Sequence, residues 1–349
     1  MKLSKRISFF TTLLKTKITG KNVPLVVVLN ITNRCNFRCI YCYGPYYDSP
    51  KNDFTTEQLL KLIDELAILG TKSITLGGGE PLLRDDIGQI IDYIKSKEIE
   101  CGMNTNGCLI PKKIDSVKKL DLICVSIDGD QESNDANRGE GTFRKIIDGI
   151  KTAKEAGLIV HTNTVLTKNN LDSIDYLINL AKDMGFESEF NLPFYQISSN
   201  KDNPALALSN EDSHKAIKKI MSFKKMGYPV LFSEKVHRYV ANWPDYREKM
   251  FLGKAPNFSY IKCQAGRYMC FIDADGMVYP CAQLIGSFKS LNFLKVGFRR
   301  AWENLSNHNC KACYFVCFNE LNSIFNFDIS VILSNVLTSV KESLLKKNR

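Results

Sequence analysis

Between residue 24 and about residue 195 the chain alternates short β-branched apolar runs with amphipathic helical patterns, which restricts its fold more than any other feature. Expected strands cover Leu25 to Leu29, Ser73 to Leu76, Glu100 to Met103, Leu122 to Ile127, Leu158 to Val165 and Ser188 to Leu192. Expected helices cover Thr55 to Leu69, Asp86 to Lys97, a short stretch from Pro111, Thr142 to Ala156 and Leu171 to Met184. Gly70, Gly157 and Gly185 fall where helices should end. Six such units predict an α/β fold with a parallel sheet and right-handed crossovers, too few for a closed eight-fold barrel. Functional loops in such folds gather at the C-terminal ends of the strands.

The first of those loops reads Cys35-Asn36-Phe37-Arg38-Cys39-Ile40-Tyr41-Cys42. Three thiolates can hold three irons of a [4Fe–4S] cubane that four would close, leaving one iron able to chelate a ligand that is not protein. The alternative is part of a structural zinc site, but no CxxC or histidine stands near this loop to complete a tetrahedral set. The spacing favours the cluster. The N-terminus is too broken by Lys, Ser and Thr for a secretory signal, and no run of apolar residues is long enough to span a bilayer. The expected location is cytoplasmic, where twelve cysteines mean metal or redox chemistry rather than disulfides. Cys101, Cys108 and Cys124, in or beside expected strands, read as buried structural thiols.

CxxxCxxC with an aromatic before the last cysteine is the hallmark of the radical S-adenosylmethionine (radical SAM) superfamily, which this sequence resembles over most of its length. The resemblance implies an open (βα)6 partial TIM barrel. It also implies a cluster on Cys35, Cys39 and Cys42 whose open iron binds the amino and carboxylate groups of S-adenosylmethionine, and reductive cleavage to a 5′-deoxyadenosyl radical. Gly77-Gly78-Gly79-Glu80-Pro81 resembles the family's GGE motif, giving Gly78, Gly79 and Glu80 the methionine amino group. The polar strand tips Asn104-Thr105-Asn106-Gly107 and Ser126-Ile127-Asp128-Gly129 are turn dipeptides if taken singly. As a set, with the Arg of a following Arg-Gly pair, the resemblance gives Thr105, Ser126, Asp128 and Arg138 the ribose and methionine carboxylate. Tyr41 matches the aromatic position near the adenine. A GxIxGxxE pattern found near the fifth strand of some members is absent, which leaves Asn163 and Val165 as weak adenine candidates.

A second cysteine-rich stretch runs from Cys263 to Cys317. Cys263 and Cys281 bracket Phe271 to Pro280, which reads as a β-hairpin with an Asp275-Gly276 turn, and Cys310-Lys311-Ala312-Cys313 offers a CxxC. Spacing alone leaves zinc or a cluster open. The pattern resembles the C-terminal SPASM or twitch module of radical SAM enzymes, which implies an auxiliary [4Fe–4S] cluster, here on Cys263, Cys281, Cys310 and Cys313 with Cys317 as a substitute. The alternative is two sites, Cys263, Cys270 and Cys281 for one and Cys310, Cys313 and Cys317 for the other.

The chain divides into a basic amphipathic helix (1–23), the radical SAM core (24–195), a connecting region without clear alternation (196–262), the auxiliary module (263–320) and a second basic amphipathic helix (321–349). Nine of the ten net positive charges lie in residues 1–21 and 341–349, so the body is nearly neutral and offers no extended phosphate-binding surface for nucleic acid. Leu3, Ile7, Phe10, Leu14 and Ile18, flanked by Phe9 and Leu13, form one apolar stripe. Ile329, Leu333, Val336, Leu337, Val340 and Leu344, after Asp328 as N-cap, form another. Each helix either packs on the body or lies peripherally on a membrane.

The expected function is a radical SAM oxidoreductase or transferase abstracting a substrate hydrogen, with peptide or protein modification ahead of a membrane lipid or isoprenoid. Flavodoxin or ferredoxin would be the reductant. The non-enzyme alternative is an iron–sulfur assembly or scaffold protein, which would need neither an open iron nor its chelate pocket.

Overall fold

The computed structural model describes residues 3–42, 44, 53–193, 206 and 208–337. Its strands are β1 (Val26–Asn30), β2 (Ser73–Gly77), β3 (Glu100–Thr105), β4 (Leu122–Ser126), β5 (Val160–Val165), β6 (Glu187–Asn191), β7 (Met250–Leu252), β8 (Met269–Ile272), β9 (Met277–Tyr279), β10 (Leu291–Asn292) and β11 (Cys310–Cys313). The helices are α1 (Leu3–Thr19), α2 (Thr56–Leu69), α3 (Ile87–Ser96), α4 (Ile110–Val117), α5 (Gln131–Arg138), α6 (Thr142–Glu155), α7 (Ile174–Met184), α8 (Asn210–Lys225), α9 (Glu234–Ala241), α10 (Phe293–Val296), α11 (Phe298–Glu303) and α12 (Val316–Phe325). Residues 329–337 are also helical.

Strands β1 to β6 lie side by side in chain order and all parallel, the α/β arrangement that the alternation predicts. Helices α2 and α3 each bury a period-3.6 stripe against the sheet: Leu59, Leu62, Ile63 and Leu66 on α2, Ile87, Ile90, Ile91 and Ile94 on α3. Helix α2 opens on a capping box between Thr55 and Gln58 and closes on Gly70 at φ +98°, a conformation that costs glycine nothing.

The second cysteine-rich stretch joins this sheet instead of standing apart. Strand β8 pairs parallel with β1, Val26 opposite Met269, and β9 and β10 follow antiparallel, so the sheet has nine strands. The β8–β9 turn is the expected hairpin, with Gly276 at φ +89°. All four β8 residues are buried, as suits a strand that covers the otherwise open edge of β1. At the far edge Val230 adds a parallel bridge to Ser188 of β6.

Residues 210–241 hold α8 and α9 where the sequence shows no alternation, and α5 is a further helix outside the expected set. Helix α5 escapes pattern reading because its buried residues are Asn134, Asn137 and Arg138. No apolar stripe marks it. Helix α1 packs by Phe9 and Leu13 into a cluster with Tyr268, Cys281, Cys310 and Phe325, so it covers the cysteine module. The other side of its stripe, Ile7, Leu14 and Ile18, stays exposed. Asp328 caps the last described helix, accepting from the Val331 amide at 3.3 Å. Val340 and Leu344, the distal basic residues and the Leu3 side chain lie outside what is described.

Candidate functional site

Cys35, Cys39 and Cys42 sit on the loop leaving β1, at the C-terminal edge of the parallel sheet, each half-buried and close enough to influence the others' ionisation. Burial pushes the Cys35 thiol up to about 12 and the Cys39 thiol to about 11. The loop is braced on every side. Asp53 accepts from the Thr32 hydroxyl (2.6 Å), the Asn33 amide (2.8 Å) and the Arg34 guanidinium (2.9 Å). Arg84 donates to the carbonyls of Ile31 and Phe54 while held by Asp86 at 2.6 Å. The Ile40 amide donates to the Asn137 carbonyl at the end of α5 (3.0 Å). Sequence reading passes over Asp53, Arg84 and Asn137, since no motif marks a residue whose work is to fix a loop.

The glycine run after β2 closes against the same loop. The Gly79 amide donates to Thr32 O (3.0 Å) and the Glu80 amide to Arg34 O (2.7 Å). A Cβ on Gly78 would come within 2.5 Å of the Thr32 carbonyl, and one on Gly79 within 2.2 Å of the Arg34 carbonyl. These glycines are required by backbone-to-backbone contact with the cysteine loop.

The carboxylate of Glu80 is fully buried and spent within the chain, accepting from the Leu82 amide (3.0 Å), the Thr105 hydroxyl (2.7 Å) and the Asn106 amide (2.8 Å). Burial lifts its carboxyl to about 7 despite these donors. Thr105 is thus turned to Glu80. The neighbouring tip reaches the cysteine loop directly, Asn106 donating to Asn36 (2.8 Å) and Asn36 in turn to the Cys108 sulfur (2.9 Å).

Tyr41, Asp128 and Arg138 form a second group. The Tyr41 hydroxyl donates to Asp128 (2.5 Å), and the buried Arg138 guanidinium pairs with the same carboxylate (2.8 Å) and donates to Tyr41. The guanidinium also reaches the Cys39 sulfur at 4.0 Å. A buried ion pair so placed is a rigid wall beside the thiols. Ser126 stands apart from both groups on β4, in register with Asn163 and, through it, with Glu189.

That row lines the inner face of the sheet. Asn191 donates to Asn163 (2.9 Å) and to Glu189 (2.7 Å), and the Cys317 thiol also hydrogen-bonds Glu189. Glu189 is half-buried by area, yet its carboxyl is crowded enough that desolvation raises its pKa. Only the strand register reveals Glu189 as inward-facing.

Four of the remaining cysteines lie within electrostatic reach of one another. Cys263 and Cys310 share a thiol hydrogen bond in which Cys310 keeps its proton, and Cys281 and Cys313 fall within electrostatic reach of the pair. Strand β11, which carries Cys310 and Cys313, pairs with β7, and the Cys263 amide donates to the Lys311 carbonyl (3.0 Å). Tyr239 donates to the Cys313 carbonyl (3.2 Å), and Asn319 to the Cys313 carbonyl (2.8 Å) and sulfur (3.9 Å). Cys270 instead packs in the main core, and Cys317, though within electrostatic reach of Cys313, hydrogen-bonds Glu189.

Among the described residues no three of His, Cys, Asp and Glu converge on a single point as ligands of one metal ion. A cubane gives each thiolate its own iron, so a ligand set for it need not share one point. Three thiols on a braced loop, and a set of four of which Cys281, Cys310 and Cys313 are buried, suit that kind of group.

Residues 29–181 match the radical SAM superfamily. Those residues form a radical SAM domain. The AdoMet-dependent heme synthase of Methanosarcina barkeri is 28% identical over 82% of this chain and 84% of its own length. The mycofactocin maturase MftC of Mycolicibacterium smegmatis is 26% identical over 82% of this chain and 71% of its own. Among solved structures, Streptococcus suis SuiB bound to S-adenosylmethionine superposes with a TM-score of 0.63 at 18% identity, covering 83% of this chain and 68% of that one. The anSMEcpe structure with bound AdoMet gives 0.59 at 17%, covering 89% and 99%. The fold is therefore shared over most of the chain.

Proposed function

We propose that Cys35, Cys39 and Cys42 hold a [4Fe–4S] cluster at which S-adenosylmethionine is bound and reductively cleaved, and that the protein uses this chemistry to abstract a hydrogen from a peptide or protein substrate. The observation that carries the first part is the closure of the Gly78-Gly79 backbone on the cysteine loop beside Cys35 and of the Tyr41–Asp128–Arg138 group beside Cys39. A cluster bound there would supply the electron for sulfonium cleavage. The chain's own part is to hold the thiols in place, leave a polar enclosure for the methionine and ribose, and exclude water from one side with buried Phe37. Gly78, Gly79, Asp128 and Arg138 are proposed to border that enclosure, with Glu80 acting behind it through Thr105 and Asn106, and Ser126 further along β4.

Cys263, Cys281, Cys310 and Cys313 are proposed to hold an auxiliary [4Fe–4S] cluster, with Cys270 and Cys317 outside the set. The lean to peptides rests on the inner face of the sheet, where Glu189, Asn163 and Asn191 offer acceptors suited to amide or ammonium donors. Relatives named as a maturase and crystallised with a precursor peptide point the same way. A heme-type substrate, as the name of the Methanosarcina barkeri relative prints, would bring carboxylates toward two acidic strand positions, Glu187 and Glu189. The test is anaerobic reconstitution with iron and sulfide, reduction, and assay of 5′-deoxyadenosine from S-adenosylmethionine. Formation that survives replacement of Cys35, Cys39 and Cys42 by Ala would refute the central assignment.

A further inference from the structure

Helix α1 is apolar on two faces, and the body covers only one. Phe9 and Leu13 are buried, Phe9 stacked on Phe325 at 6.3 Å between ring centres. Ile7, Leu14 and Ile18, seven and four residues apart, stand one above another on the opposite face. The helix at 329–337 repeats the arrangement, with Val331 buried and Ile329, Leu333 and Leu337 turned outward at intervals of four. All six outward residues are between 52% and 77% exposed.

The two helices lie side by side and run in opposite directions. Arg6 donates to the Asn335 carbonyl (3.4 Å), and Lys17 stands over the Phe327 ring at 5.8 Å. The two stripes are therefore carried by neighbouring helices. Of the fourteen large apolar side chains exposed among the described residues, six are on these two helices. An apolar patch of this kind marks a contact surface.

Charge decides what it contacts. Residues 1–21 carry six basic residues and no acid, Lys15 and Lys21 exposed, and no acid occurs from 329 to 341. A second copy of the same face would set positive against positive. No helix among the described residues is long and apolar enough to cross a membrane. Paired helices with outer apolar stripes, one of them bordered by exposed lysines, suit the interface of an anionic bilayer, with the stripe among the acyl chains and the lysines at the headgroups.

We propose that α1 and the helix at 329–337 form a two-helix docking surface for an anionic lipid bilayer, with Ile7, Leu14, Ile18, Ile329, Leu333 and Leu337 entering the interface. The surface is independent of the radical chemistry, and its test needs no turnover. The reconstituted full-length protein is sedimented with vesicles of phosphatidylglycerol and phosphatidylcholine, and with phosphatidylcholine alone, at low and high salt. Binding is expected to the anionic vesicles and to weaken with salt. The triple variants Ile7→Ser/Leu14→Ser/Ile18→Ser and Ile329→Ser/Leu333→Ser/Leu337→Ser should each weaken it by more than about tenfold, since each removes three apolar groups from the contact. Unchanged thermal unfolding would show that these exposed positions leave the fold intact.

Wild-type protein remaining in the supernatant with anionic vesicles would overturn the proposal. So would triple variants that bind like the wild type, which would leave only a diffuse charge effect. Dimerisation lost in the same variants, without vesicle binding, would reassign the surface to a second copy and overturn it as well.

Discussion

The two thiol groups of this protein are built by opposite means. Cys35, Cys39 and Cys42 are half-buried at the mouth of the parallel sheet, on a loop held by backbone amides, Asp53 and Arg84. Cys281, Cys310 and Cys313 are buried, come with Cys263 from three separate segments, and lie against Tyr268, Phe325, Tyr239 and helix α1. A polar-braced, accessible site suits an exchangeable ligand beside its cofactor. One closed in apolar packing suits a group that stays and carries charge.

The largest expected effect separates the two outright. Replacing Cys35, Cys39 and Cys42 by Ala should remove 5′-deoxyadenosine formation altogether yet leave about four irons and four sulfides per chain. Stoichiometric zinc and no iron in that variant would break the comparison, since the buried set would then be a structural metal site.

Next, Cys281→Ala with Cys313→Ala should lose that remaining iron, whereas Cys317→Ser should keep it. Loss of iron in the Cys317 variant would return that residue to the ligand set, against its hydrogen bond to Glu189.

Glu80 tests whether the open site is as rigid as its bonding implies. Glu80→Gln replaces an acceptor of three hydrogen bonds with a group that must point a donor at one of them, and unfolding free energy should fall by about 1–3 kcal/mol. Because burial lifts this carboxyl from 4.5 to about 7, the folded state holds its proton more tightly, so wild-type stability from this group falls as pH rises across that interval. The deficit of the variant should accordingly narrow between pH 4.5 and 7 in denaturant titrations. A deficit that widens would mean that the carboxylate, and not the acid, is the stabilised form.

The smallest effect concerns the backing of the buried set. His237 on α9, the helix that also carries Tyr239, is buried with Nε2 2.7 Å from the Leu231 carbonyl, and desolvation lowers it from 6.5 to about 4. A depressed histidine contributes stability above its unfolded value and loses it as pH falls toward 4, with about 2 kcal/mol gone by pH 5. Hydrogen exchange at pH 5 should rise in α9 and β11 before it rises in the loop at 31–42. His237→Phe should abolish the difference.

How much of this was legible in the chain depended on how local the signal was. The parallel order of β1 to β6, the capping of α2 and the hairpin at Asp275-Gly276 follow from periodicity and turn chemistry within a few residues. The CxxxCxxC loop and the glycine run are equally local. Helix α5 was hidden because it buries amides and a guanidinium instead of an apolar stripe, and α8 and α9 because they pack on other helices outside the repeating unit.

Sequence alone determined the alternation, the loop of three thiols and the two basic apolar stripes, since each is written in spacing along the chain. Only the tertiary structure decided which four of the six later cysteines meet, that β8 completes the edge of β1, that Glu80 faces its own strands, and that each terminal helix has one face to the body and one to spare. Those outcomes depend on register and packing between segments up to hundreds of residues apart, where a side chain's direction is set by its partners and not by its neighbours in sequence.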